Sequence, residues 1–315
     1  MLTCHGGDGR ALPADSADAA TSGCLWFDLC DPSGEEIGRV ERVTGVRLPT
    51  LERIRAIEMS SRLRLDGDVL HLNVPFFAHD VDQPQSPFGL IVAPKFLVSI
   101  RYGDSPGFAR AAESVYAART PADGAMVFAA LVEALVGQLA DHLETIIAKA
   151  GELSTRILCQ ARHSTRALTG MLAEIGRLES GLTRARQTMT GLSRAVGFTQ
   201  ENAPPWIAKT ELARLKTVHK DLEALGELDG QMTDKLQFLL DAVLGFINID
   251  QNDVMKLLTV ASVVSIPPVI LAGIWGMNFV RMPELKLPYG YPLALTAIVL
   301  SVVLPLLWFR RRGWL

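Results

Sequence analysis

Two long stretches without a charged residue lie near the C-terminal end of the chain and limit what it can fold into. The first runs from Leu257 to Val280 and the second from Leu287 to Phe309. A helix of about 20 mostly apolar residues crosses the hydrocarbon core of a bilayer. The sequence therefore predicts two membrane-spanning helices in contact with lipid, joined by a short polar hairpin.

The rest of the 315-residue chain is mostly polar and predicts a soluble body ahead of the spans. Residues 1–20 contain three aspartates and no apolar core, which is not the pattern of a signal peptide. Basic residues flank the spans at Lys256 and at 310–312, whereas the hairpin carries only Arg281 and Lys286. Because positive residues favour the cytoplasmic side, we expect the body and the C-terminus to be cytoplasmic.

Composition argues against several other classes of protein. The formal net charge of -3 disfavours nucleic acid as a partner. The four cysteines show no CxxC or zinc-finger spacing and are expected to be reduced thiols, as in a cytoplasmic body. No HExxH pair, phosphate-binding glycine loop or G-x-S-x-G elbow is present, so the sequence predicts neither an enzyme nor an organic cofactor.

The first part of the body has the pattern of a small mixed sheet flanked by helices. Ser33 is placed as the N-cap of a helix that reaches Gly45, with Glu36 completing a capping box. Strands are predicted from runs of β-branched and aromatic residues between turn signals. The predicted strands are Cys24–Leu29, Ser61–Leu65, Val69–Phe77, Phe88–Val92 and Phe96–Arg101.

Long amphipathic helices follow from about Gly124. Residues 125–159 and 167–196 repeat apolar residues at helical spacing, and Pro204-Pro205 then interrupts the pattern. From Trp206 the helical pattern continues to Trp275, with Gly226 and Gly230 as possible interruptions. As one helix this segment would be roughly 100 Å long and would connect the body to the first span. Pro267-Pro268 is expected to bend or loosen it.

One face of the first span differs from the others. Counting in sevens from Asn252 gives Thr259, Ile266 and Gly273, a stripe of polar, medium and small side chains. Such a stripe is typical either of a pore lining or of close packing between membrane helices, and spacing alone does not separate the two. Because two spans enclose no path, a channel would need several copies of the chain. Symmetry would then make rings of the Asn278 side chain and the Gly276 carbonyl.

The motifs of this region resemble those of the CorA magnesium and cobalt channel family. The similarity is closest over about 238–315 and weaker at 25–31 and 57–77. The shared motifs are GFINIDQN at 245–252, PP at 267–268, WGMNF at 275–279, MPEL at 282–285, YGYP at 289–292 and a basic tail ending GWL at 313–315.

The resemblance implies a funnel-shaped homopentamer whose first span lines the pore and whose second span packs outside it. It places a selectivity filter at Gly276, Met277 and Asn278. The implied pore and gate positions are Asn252, Leu258, Ile266, Val269 and Gly273. Leu258 and Ile266 could form dewetted constrictions, or could simply face lipid or protein. Val269 stands where many family members have threonine, so passage of partly dehydrated ions such as Co2+ is left open.

Mg2+ is implied both as the transported ion and as a regulator that favours closure. The family's regulatory acidic sites suggest Asp241 with Asp80 and Asp82, although surface aspartates are commonly just solvated. Glu284 in the external loop either raises the local cation concentration or is an ordinary solvated charge. The region 156–194 is more basic than in relatives, which predicts weaker or differently arranged gating.

The expected fold class is an α+β cytoplasmic domain with long stalk helices and two transmembrane helices, in a bacterial-type inner membrane. The expected segments are an α/β domain at 1–123, a stalk at 124–253, spans at 254–275 and 291–309, an external loop at 276–290 and a basic tail at 310–315. Two alternatives remain: a zinc or other transition-metal transporter of the same superfamily, and a membrane-anchored sensor or scaffold without ion flux. The absence of His and Cys from the hairpin disfavours a soft-metal route.

Overall fold

The computed structural model of the chain divides into two compact units, which are described separately. The first unit is Met1–Gln160 with Met171–Leu240, and the second is Ala161–Gly170 with Asp241–Leu315. The structure describes residues 1–6, 11–13, 24–55, 62–74, 87–103, 105–117, 123–159, 165–277, 282 and 287–314.

A seven-stranded mixed sheet forms the centre of the first unit. Its order is β2-β1-β3-β7-β6-β5-β4, in which β3 and β7 are parallel and the other neighbours are antiparallel. The strands are β1 Leu2–Gly6, β2 Ala11–Pro13, β3 Cys24–Cys30, β4 Leu63–Asp66, β5 Val69–Val74, β6 Phe88–Val92 and β7 Leu97–Arg101. The predicted mixed sheet is confirmed. The residues predicted beyond β5, up to Phe77, lie outside the described residues.

Helices cover both faces of this sheet because its central strands are apolar on both sides. On one face, Phe27 and Ile100 pack with Val40 of α1, Gly34–Thr44, and Ile54 of α2, Leu51–Arg55. Ser33 caps α1 and shares the predicted capping box with Glu36, and Gly45 ends the helix with a φ of 70°.

On the other face, the indole of Trp26 lies 6.2 Å from the ring of Phe108. Phe108 belongs to α3, Pro106–Ala117, which packs along α4, Gly124–Cys159. α4 also contacts β3, β6 and β7, and most of its apolar residues are buried in the core. Trp26, Phe88 and Phe128 are among the largest fully buried side chains.

Two further long helices follow. These are α5, Thr165–Glu201, and α6, Lys209–Trp275, and the chain ends in α7, Gly290–Arg311. The predicted long helix is confirmed, because α6 is continuous over 67 residues, or about 100 Å. Its glycines do not interrupt it, and Pro267 and Pro268 both lie inside it.

The expectation of four reduced thiols is wrong for two of them. A disulfide joins Cys4 of β1 to Cys24 at the start of β3. These strands are antiparallel neighbours whose register shifts between His5 and Gly6, and the two Cα atoms are 5.8 Å apart, a distance that a disulfide can bridge. Cys30 and Cys159 are free. The cysteines therefore do not indicate in which compartment the body lies. The expected orientation in the membrane depends on the basic residues that flank the two spans.

Candidate functional site

The C-terminal part of α6 presents two different faces within the second unit. Its partly shielded positions recur at helical spacing. They are Val260, Val264, Pro267, Pro268, Leu271 and Trp275. Val260 is the most shielded of them, with 5% of its surface exposed. This stripe is the face that packs against protein within one chain.

The matching helix is α7, which has a shielded stripe of its own. The positions in this stripe are Ala294, Ala297, Ile298, Ser301, Val302, Pro305 and Phe309. Phe309 is 3% exposed, and residues of both helices line one groove near the end of α7. We infer that α6 and α7 pack through these two stripes.

The predicted pore positions lie on the opposite side of α6. Leu258 is 57% exposed, Ile266 54% and Val269 70%, and Asn252 and Gly273 are also exposed. At about 100° per residue, Ile266, Val269 and Gly273 lie roughly 180° around the helix from Val264 and Leu271. Ile266, Val269 and Gly273 are therefore not engaged in packing against α7, whereas Thr259 of the same stripe lines a groove together with residues of α7.

Hydroxyl groups near this face donate hydrogen bonds back to their own helix. Thr259 Oγ1 donates to the Met255 carbonyl at 2.8 Å, and Ser262 Oγ donates to the Leu258 carbonyl at 2.9 Å. Each hydroxyl proton is used within the helix, as expected for serine and threonine in an apolar surrounding. The oxygen of each group can still accept a hydrogen bond from another molecule.

The predicted filter begins where α6 ends. Gly276 donates its N–H to the Ala272 carbonyl at 2.9 Å, and Met277 donates to the Ile274 carbonyl at 3.3 Å. Both residues are exposed. Asn278 and Glu284 lie outside the described residues.

The predicted regulatory residues are only partly described. Asp241 lies on α6 and is exposed. Asp80 and Asp82 lie outside the described residues. Within the ranges that the structure describes, no group of three or more His, Cys, Asp or Glu side chains is close enough to hold a metal ion.

Sequence reasoning missed an aromatic and basic cluster at the end of α7. The Arg312 guanidinium lies 4.9 Å from the Trp308 ring centroid, and the Trp314 ring stacks on Phe309 at 5.4 Å. The signal that could have found it is the position of Trp308 and Trp314 at the end of an apolar span, where aromatic residues are enriched.

Three helices in the described chain are long and apolar enough to cross a membrane, judged by length and composition. They are α4, α6 and α7. The apolar window of α4 is 67% buried inside the protein, whereas those of α6 and α7 are each 6% buried. The apolar residues of α4 therefore have protein partners, and those of α6 and α7 are left available to lipid or to other copies.

Known proteins are similar to this chain over almost its whole length. The family model described as CorA-like Mg2+ transporter protein matches residues 21–311. The magnesium transport protein CorA of Haemophilus influenzae is 29% identical, with 98% of each chain covered, and that of Escherichia coli K12 is 31% identical, with 92% of each covered. The complete structure of the CorA magnesium transporter from Methanocaldococcus jannaschii superposes with a TM-score of 0.77 at 19% identity, covering 100% of this chain and 99% of that one.

The fold defines a class of protein with a soluble α/β domain, long helices and C-terminal helices that could span a membrane. The relatives are named as transport proteins, which supports a transporter and not an enzyme. The chain belongs to the CorA family, as its motifs predicted.

Proposed function

We propose that this chain is one subunit of a channel that admits Mg2+ into the cytoplasm. The observation that carries the proposal is the division of α6 into two faces. Every predicted pore position described on this helix is exposed and lies away from the residues shielded by α7. Relatives named as magnesium transport proteins support Mg2+ as the ion.

The membrane arrangement follows from α6 and α7. Both spans have uncovered apolar windows, and basic residues flank them at Lys256 and 310–312. The chain is then a two-span protein of a bacterial-type inner membrane, with both termini in the cytoplasm. The segments that serve these roles are those expected above, with the first span at 254–275 and the second at 291–309.

The pore is formed by several copies of the chain, and we propose five. A single pair of helices has no interior, so a path for ions requires a ring of α6 helices around a symmetry axis. The exposed large apolar residues Leu258, Ile266 and Val269 then face the axis or a neighbouring subunit. Leu258 and Ile266 form narrow dewetted rings when the channel is closed.

The external mouth holds the ion through its water shell. Mg2+ gives up water reluctantly, so a neutral ring of Asn278 amide oxygens and Gly276 carbonyls suits a hydrated ion. A ring of carboxylates would bind more tightly and slow release, which conduction also requires. Glu284 adds a negative charge outside this ring.

Cytoplasmic Mg2+ is also proposed as the gating ion. Asp241 on one subunit, with Asp80 and Asp82 on a neighbour, would supply carboxylates that bind the ion in the closed state. Val269 gives an apolar ring in place of a polar one, so Co2+ and Ni2+ are expected to pass less readily than Mg2+.

Ion flux into liposomes tests the proposal. The purified protein should admit Mg2+ to a trapped indicator, and Asn278→Ala should lower the rate by at least tenfold because the mouth loses its ring of amide oxygens. Asn202→Ala is a matched control, since Asn202 lies just beyond α5 in the first unit, where its amide donates to the Phe198 carbonyl. Equal flux by Asn278→Ala and the parent would refute the filter, and no divalent flux from any sample would favour a membrane-anchored scaffold.

A further inference from the structure

An open groove of about 960 Å³ lies beside the cytoplasmic end proposed for α6 and α7, and we call it the C-terminal groove. Its walls are mostly apolar, and Arg311 supplies the charge at its rim. The lining includes Thr259 and Val263 of α6, Leu304, Leu307, Trp308 and Arg311 of α7, and Trp314 just beyond it.

The end of the chain is folded back to form part of this groove. Gly313 adopts a φ of 71°, and the Trp314 N–H then donates to the Phe309 carbonyl at 3.1 Å. Because only glycine adopts this conformation without strain, the turn brings Trp314 back onto Phe309. Arg312 packs over Trp308 on the same helix end. The aromatic walls are therefore held in place by the turn and by ring contacts.

Three consecutive arginines, at 310–312, stand at this end of α7. In the described part of the chain, no carboxylate forms an ion pair with Arg310, Arg311 or Arg312. Asp253, near the start of the first span, is bound instead by Lys256 at 2.8 Å. The rim of the groove therefore favours an anionic group.

The combination of features selects one kind of ligand. A long apolar wall suits an acyl chain, an arginine at its end suits a phosphate, and tryptophans are enriched at the level of lipid headgroups. A soluble anion would make no use of the apolar wall. An apolar peptide would leave Arg311 without a partner.

We propose that the C-terminal groove binds an anionic phospholipid, with its phosphate on Arg311 and an acyl chain along Leu304, Leu307 and Val263. The proposal rests on the proposed function in one respect, because α6 and α7 must be spans. The ligand connects the end of the second span to the pore helix, since the groove is lined by both helices.

Lipid retention by the full-length oligomer tests the site. The protein in detergent is mixed with phosphatidylglycerol or with phosphatidylcholine of the same acyl chains, and bound lipid is counted by native mass spectrometry. Phosphatidylglycerol should be retained in preference. Arg311→Gln should lower its retention by roughly fivefold, as expected for one basic residue at an anionic lipid. Arg310→Gln removes the same charge one residue away, outside the groove, and should have little effect.

Several results would overturn the proposal. They are equal retention of the two lipids, equal loss in Arg310→Gln and Arg311→Gln, or displacement of the lipid by millimolar inorganic phosphate. Equal retention of the two lipids is the result expected if a neighbouring subunit, and not a lipid, fills the groove. If Arg311→Gln does not assemble, Val263→Phe narrows the apolar wall without changing any charge and should also reduce retention. Unchanged retention in Val263→Phe would then refute the site.

The same preparations are tested for Mg2+ flux in phosphatidylcholine liposomes. Selective lipid retention without any flux would contradict the channel but support the groove. Flux without selective retention would contradict only the groove.

Discussion

His5 is a buried imidazole in the first unit, where its ring stacks on Trp26 at 4.5 Å and its Nδ1 faces the Tyr116 hydroxyl. Burial lowers the pKa of His5, with Asp28 opposing the shift and Arg101 adding to it. Asp28 and Arg101 are themselves joined by an ion pair of 2.9 Å on the sheet. This histidine is therefore neutral in the folded protein at pH values where a solvated histidine is already partly charged.

Stability of the first unit should fall as the pH decreases below about 6.5. The unfolded His5 takes up a proton near that pH, whereas the folded one does so only at a lower pH, so unfolding binds a proton in this window. His71, whose pKa is also lowered by burial and by Arg64, contributes in the same direction. His5→Phe keeps the ring on Trp26 and should remove part of the pH dependence.

Thermal unfolding of the full chain in detergent, followed by circular dichroism between pH 5 and pH 7.5, measures this effect. If the unfolding midpoint decreases by the same amount from pH 7.5 to pH 5 in the parent and in His5→Phe, His5 is not a source of the pH dependence.

At the scale of helices, α5 and α6 are held together in the first unit by an arginine and a buried aspartate. Arg186 Nε lies 2.5 Å from Asp229 Oδ2, and an Arg186 Nη donates to Thr233 Oγ1 at 2.6 Å. Asp229 is 4% exposed, and its Oδ1 has no hydrogen-bond partner within the described residues. Arg186 is therefore the main compensation for a buried negative charge.

Arg186→Ala should destabilise the contact between α5 and α6 by about 1–3 kcal/mol, because it leaves Asp229 buried without its cation. The range extends down to about 1 kcal/mol because the Arg186 side chain is partly exposed, and solvent weakens its ion pair with Asp229. Amide hydrogen exchange near Leu182 and Leu236 measures the local opening. Arg177→Ala on the exposed side of α5 is the control. The double variant Arg186→Ala with Asp229→Asn should recover part of the loss, and no recovery would mean that the buried charge is not the cause.

The long helices could be predicted from the sequence within a few residues, because their periodicity is sustained over many turns. Four shorter elements were not predicted: β1, β2, α2 and α3. The place of β1 in the sheet depends on pairing with β3, more than twenty residues further along. The Cys4–Cys24 disulfide was missed for the same reason, because the two Cα atoms come within 5.8 Å of each other only when β1 and β3 lie side by side.

In the candidate site, too, periodic patterns could be recognised from the sequence, whereas features that depend on residues far apart in the chain could not. Counting in sevens identified the stripe through Ile266 and Gly273 but could not distinguish a pore lining from helix packing. The distinction requires the shielded face of α6, which depends on α7. The groove near Trp308 and Trp314 also needs both helices, together with the turn at Gly313.

At the scale of the whole molecule, the described helices of the second unit carry long apolar windows that are each only 6% buried. Lipid can cover the outer side of α6 and α7, but the exposed amide of Asn252 and the bare backbone at Gly273 are poorly suited to lipid. In the proposed ring of subunits, this side of α6 faces the shared axis. In this arrangement Val269 is a pore residue, and Leu271, roughly 200° around the helix, is a packing residue.

Thiol accessibility in a conducting channel tests this claim most directly. Cys30 and Cys159 are first replaced by serine, and Val269→Cys and Leu271→Cys are compared as a matched pair. Each is reconstituted into liposomes, and Mg2+ flux is measured before and after a charged methanethiosulfonate reagent. We expect the reagent to block most of the flux through Val269→Cys and to leave the flux through Leu271→Cys unchanged. Block of Leu271→Cys with no effect on Val269→Cys would contradict the assignment of the pore face.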